Sequence, residues 1–152
     1  MSGITNRGKY KFLDWLFRGT ALPTNFYIAL VTSAVAPAAD INTKSELTEI
    51  ANGNGYTTGG ISLTKNSTDF DVLTEDDAND YSLVQLKDQV WTASGGSLPG
   101  SGNGARYAVL TDDNATQGSR LILSFWDLVS VRSVSVDQTL TLQNCEIRLA
   151  EA

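Results

Sequence analysis

Residues 26–31 read FYIALV, six consecutive side chains without a charge. A run this short, bounded by Asn25 and by Thr32-Ser33, suits a central strand covered on both faces. Toward the C-terminus the chain keeps to short apolar runs separated by turn residues. Ile61, Leu63 and Lys65 alternate with Ser62 and Thr64 after the pair Gly59-Gly60. Residues 83–93 (LVQLKDQVWTA), 105–111 (ARYAVLT) and 120–126 (RLILSFW) add further strand candidates. Between residues 130 and 149 the alternation is two-residue, but its parity changes. Val134, Val136, Leu140 and Leu142 fall on even positions, whereas Cys145, Ile147 and Leu149 fall on odd ones. The spacing predicts a β-bulge at Gln143-Asn144, because otherwise half of the strand would turn its apolar side to water. The expected fold class is all-β: a single β-sandwich or jelly-roll-like domain of about seven to nine strands with a short N-terminal helix.

Upstream of residue 26 the period changes. Thr5 or Asn6 is placed to cap a helix that runs to about Arg18 and stops at Gly19. Helical spacing puts Phe12, Trp15 and Leu16 on one face and Tyr10, Leu13 and Phe17 beside it. Either this helix plugs the end of a sheet structure, or part of it buries against another chain. Residues 1–19 are read as a helical segment or arm and residues 20–152 as the β-domain, one domain in all. Residues 43–51 (TKSELTEIA) begin with a cap and end at Asn52-Gly53, which predicts a second short helix.

Charge is unevenly spread. The 152 residues carry 11 basic and 17 acidic side chains, a formal charge of −6. Arg7, Lys9, Lys11 and Arg18 against Asp14 give residues 1–18 a local +3, so the remaining body holds −9. An acidic body argues against general nucleic-acid binding, which rests on neutralising phosphates. A small basic segment on it suits docking to an acidic protein surface; the alternative is that these cations keep the outer helix face wet. The candidate interface is Arg7, Lys9, Tyr10, Lys11, Phe12, Trp15 and Phe17. No run of 18 apolar residues is present to span a membrane, and the N-terminal MSGITNRGKYKF is too polar for the apolar core of a signal peptide.

Several chemistries lack their residues. Histidine is absent and cysteine occurs once, which leaves no intrachain disulfide, no Cys/His zinc site and no imidazole base. Cys145, on the apolar side of its strand, reads as a small buried hydrophobe. Residues 94–104 (SGGSLPGSGNG) have glycines at phosphate-loop-like intervals, but a strand-like segment follows where a helix N-terminus is needed. They are read as a long exposed hairpin or inter-sheet loop. Asp69, Asp71, Glu75, Asp76, Asp77 and Asp80 crowd a stretch without a basic residue. Leu73 and Thr74 break the calcium-loop pattern, so the stretch is read as a solvated, self-repelling loop. No catalytic residue, cofactor or metal site is expected. The sequons at Asn66 and Asn114 carry no meaning without a secretory route.

The arrangement resembles a family of small tailed-bacteriophage virion proteins. The resemblance rests on the helix leading into FYIALVT (residues 26–32), ELTEI (46–50), Asn54-Gly55-Tyr56 with Gly59-Gly60, and the C-terminal half from ARYAVLTDD to LQNCEIRL (105–149). It implies an all-β module without catalytic residues that is made in the host cytoplasm, self-associates and sits on the virion. Two places are implied. One is capsid cement or decoration, a homo-oligomer, such as a trimer, that binds the major capsid protein. The other is a tail or tail-fibre-associated module for assembly or host-surface carbohydrate recognition, with Trp91 or Tyr107 lining a sugar groove.

Overall fold

The computed structural model describes residues 2–150; Met1, Glu151 and Ala152, counted above in the segments 1–19 and 20–152, lie outside the described residues. The described residues are mostly β with one α-helix. Its elements are β1 (Gly3–Ile4), α1 (Asn6–Phe17), β2 (Asn25–Val31), β3 (Ile61–Thr64), β4 (Val72–Asp76), β5 (Tyr81–Leu86), β6 (Gln89–Thr92), β7 (Ala105–Thr111), β8 (Ile122–Arg132), β9 (Thr139–Leu142) and β10 (Cys145–Ala150). Ten strands among the described residues exceed the seven to nine expected. They form three antiparallel sheets ordered β1-β8-β7-β2-β3, β10-β5-β4 and β6-β9.

Strand β2 is an interior strand covered on both faces, as its unbroken apolar run predicts. Ile28 and Leu30 enter a core shared with Trp91, Leu110, Leu142 and Ile147, while Ala29 and Val31 join a second cluster with Leu47, Val109 and Phe125. All four β2 residues are fully buried, and burial of each larger aliphatic is worth about 1.5–3 kcal/mol. Strand β3 pairs with β2 only as far as Ile28↔Ile61. Beyond that point loop groups take over the orphan backbone polar atoms. The Leu30 N–H donates to the Tyr56 hydroxyl (3.0 Å) and the Leu30 carbonyl accepts from Ile50 N–H (3.1 Å). Tyr56 is held by the tight turn Gly53–Tyr56, in which Gly55 has φ +94 and a β-carbon would lie 1.9 Å from the Thr92 carbonyl oxygen.

The parity change near Gln143-Asn144 has a different origin from a one-strand bulge. Leu86 pairs with Cys145 and Gln89 with Leu142, so two residues intervene in each strand and the register is unchanged. Asn144 takes φ +55, and the whole two-stranded ribbon rolls over at Lys87-Asp88 and Gln143-Asn144. Leu86 and Cys145 face the core before the roll, and Trp91, Leu140 and Leu142 face the same core after it. Gln143 Nε2 donates to Asp88 Oδ2 (2.8 Å) on the outer side of the joint.

Three local expectations are corrected. The acidic stretch is not all loop, because Val72–Asp76 forms β4, paired with β5 along its full length. Residues 43–51 make only a single 3-10 turn, Lys44–Glu46, closed by a capping box between Thr43 and Glu46. The glycine-rich segment is pinned rather than fully exposed: Leu98 is fully buried and bridges Val134, and Ser97 accepts from the Asn54 amide (2.8 Å).

Candidate interaction surface

The N-terminal segment is tied into the sheet before the helix starts. β1 pairs with β8 through Gly3↔Phe125 and Ile4↔Ser124. Buried Thr5 then caps the helix, accepting from Gly8 N–H (2.8 Å) and donating to the Ile122 carbonyl (2.5 Å). The helix ends at Phe17 with Gly19 in the left-handed region at φ +70, the boundaries that the cap and stop residues predict.

Gly8 decides which face turns inward. It is buried against Leu123 of β8, and Phe12 and Trp15, one and two turns on, follow it inward. They start an aromatic chain of four rings: Phe12 to Trp15 at 6.0 Å, Trp15 to Phe26 at 6.2 Å and Phe26 to Phe70 at 5.8 Å between centroids. The opposite side is apolar too. Tyr10, Leu13, Leu16 and Phe17 are 56%, 59%, 74% and 75% exposed, an apolar stripe that nothing among the described residues covers.

The seven candidate residues therefore divide. Lys9, Tyr10 and Phe17 lie exposed, whereas Phe12 and Trp15 are half-buried contributors to the chain's own packing. Arg7 and Lys11 flank Tyr10, each with its cationic group 5.8 Å from the ring centroid. Lys11 also donates to Asp14 (2.9 Å), and this bond, aided by Thr20, holds the Asp14 carboxyl below the usual range. Leu13 and Leu16 belong to the exposed stripe and were not among the candidates, and Leu16 lies apart from Phe12 and Trp15 rather than with them. The signal that locates them is Gly8: a glycine inside the first turn of a helix marks the side of closest approach.

Beside the helix opens an apolar groove of about 570 Å³. Phe12, Phe26, Phe70, Leu83 and Ile147 line it, and Leu73 and Leu149, 81% and 62% exposed, are among its lining residues. Ser82 and Leu149 line both this groove and an adjoining acidic concavity with Glu75, Asp76, Asp77 and Asp80. Asp76 is held low by Asn79, whose side-chain amide donates to it at 2.9 Å. No ion pair joins Glu75, Asp77 or Asp80 to a cation among the described residues. No group of three or more His, Cys, Asp or Glu suited to a metal ion occurs among them either.

The remaining residues singled out from the sequence have structural placements. Cys145 is buried in the main core, and burial pushes its thiol up to about 12. Trp91 is buried with its ring 6.3 Å from that of Tyr56, and half-buried Tyr107 lies under Arg106 at 4.9 Å. No described helix is long and apolar enough to cross a membrane. Compared with family models, curated proteins and solved structures, the chain matches none.

Proposed function

We propose that this chain is a non-enzymatic structural subunit of a tailed-phage virion, acting as a capsid cement or decoration protein. In this reading the all-β body is a β-sandwich of jelly-roll type. It works by burying surface, against copies of itself and against the major capsid protein, and needs neither cofactor, nucleic acid nor membrane. The observation that carries the reading is the outward apolar stripe Tyr10, Leu13, Leu16 and Phe17. A helix that already spends Gly8, Phe12 and Trp15 on its own domain has no internal use for a second apolar face, and covering each such side chain is worth about 1.5–3 kcal/mol. The family resemblance supplies the setting. The tail and carbohydrate alternative draws less support, because Trp91 lies in the core rather than on a groove.

Immunogold imaging of the phage particles that carry this sequence tests the proposal. Label over the capsid shell is the expected result. Label confined to tails transfers the protein to the alternative location, and particles without label overturn both. Within the capsid reading, replacing Leu13, Leu16 and Phe17 by glutamine removes the label while the recombinant protein stays folded.

A further inference from the structure

We infer that the helix α1 of one copy seats its outer face on the apolar groove and acidic rim of a neighbouring copy. The inference rests on the self-association in the reading above and names the two surfaces that would meet. Each half is incomplete in the same two respects. The helix offers Tyr10, Leu13, Leu16 and Phe17 to water, with exposed Lys9 and Arg18 on and after the same helix. The groove is a cavity of about 570 Å³ with Leu73 and Leu149 exposed among its lining residues, and beside it stand exposed Glu75, Asp77 and Asp80.

Charge identifies the occupant. The segment that bears the stripe has a local +3, and the rim is lined by four carboxylates, Glu75, Asp76, Asp77 and Asp80, with no cation among its lining residues, although Lys65 stands among those of the groove itself. A neutral apolar peptide would fill the groove but leave the rim repelling itself, and an acidic one would be rejected. A cationic apolar helix satisfies both parts, and the chain itself carries one. Opposite potentials flanking an apolar centre are the arrangement that fixes register and speeds encounter between partners. Because the two surfaces are different patches, the contact is heterologous, a geometry that closes into a ring when the rotation between copies permits and otherwise propagates as an open filament.

Cross-linking between single-cysteine variants of the full chain tests the seating, with buried Cys145 as a silent background. Leu16→Cys and Thr74→Cys proteins are mixed and treated with a short bis-maleimide. The expected product is a mixed covalent dimer, at least about fivefold above either variant alone. In a second arm, sedimentation follows Lys9→Glu/Arg18→Glu and Glu75→Lys/Asp77→Lys proteins. Each pair is expected to weaken self-association about tenfold, and the four changes together on one chain to restore it to within about threefold, in keeping with rim charges each worth under about 1 kcal/mol. Oligomers that form without the mixed cross-link, or without charge rescue, overturn the seating and leave self-association standing. A chain that remains monomeric at millimolar concentration overturns both.

Discussion

Gly8 of the helix and Leu123 of β8 meet backbone to backbone: a β-carbon at position 8 would lie 2.1 Å from the Leu123 carbonyl oxygen and 3.0 Å from Ile4 Cγ2. The obstacle is a strand carbonyl rather than a flexible side-chain tip, so the helix itself would have to move. In an exposed mid-helix, Gly→Ala is stabilising by about 1 kcal/mol. Here the sign reverses. Gly8→Ala is expected to destabilise by about 1–3 kcal/mol, as forced repacking does, and urea denaturation followed by tryptophan fluorescence measures it.

The two faces of the same helix separate folding from association. Trp15→Ala removes the second ring of a four-ring chain, and its partial burial places the expected loss at about 2–3 kcal/mol, below that of a fully buried aromatic. Leu16→Gln and Phe17→Gln change stability by less than about 0.5 kcal/mol each. Thermal unfolding of the three variants, read beside their sedimentation, checks the split.

Glu49 holds together a buried polar cluster behind β2. Its carboxylate pairs with nearly buried Lys44, accepts from the Tyr56 hydroxyl (2.5 Å) and accepts from Gly59 N–H (2.7 Å). Glu49→Ala strands the lysine charge and both donors, and is expected to cost about 3–5 kcal/mol. Tyr56→Phe, which leaves the Leu30 N–H without its acceptor, costs about 1–3 kcal/mol. Equilibrium urea curves at one pH rank the two.

Stability against pH is expected to be a plateau with two falling limbs. Four carboxyls are held low: Asp14 by Lys11, Glu46 by the Thr43 N–H, Asp69 by Lys87 and Asp76 by Asn79. A lowered folded-state value contributes stability above the unfolded value and loses it as pH falls through the folded one. Stability therefore drops on acidification from about pH 4.5 downward. Asp112, raised by burial, has the opposite sign and works against them. On the alkaline side, burial raises Cys145 to about 12 from 9.0 and raises Tyr56 as well. Their contribution is complete below the unfolded values and erodes above about pH 9. With no histidine in the chain, the interval from about pH 6 to 8 is flat. Chemical denaturation midpoints across pH 3–10 trace the profile.

The elements that the sequence reveals are those whose own residues carry the signal. FYIALV is apolar on both parities because both faces of β2 are buried, and Thr5 and Gly19 mark the helix ends because they satisfy its terminal groups. β4 is invisible by the same standard. Val72 and Leu73 are adjacent instead of alternating, the flanking residues are acidic, and Leu73 stays 81% exposed; the strand exists through its ladder with β5. The parity change at residue 144 is legible, but whether one strand or a pair of strands accommodates it depends on the partner's register. At the interaction surface, the apolar residues of α1 cover two faces and Gly8 alone marks the inward one, so a count of apolar positions leaves Leu13 and Leu16 unassigned. The groove has no local signature, being assembled from the helix, β2, the 65–70 loop and the β4, β5 and β10 sheet.

The rolled ribbon of β5–β6 and β9–β10 also sets a load path. Its two halves share one register, and both bury their apolar side in the same core. The half that lines the groove through Leu83 and Ile147 runs directly into the half anchored at Trp91 and Leu140. Traction along the strands is carried as shear by the ladder on both sides of the joint, and the rungs yield together rather than one at a time. The place where the strands change faces is a rivet rather than a weak point.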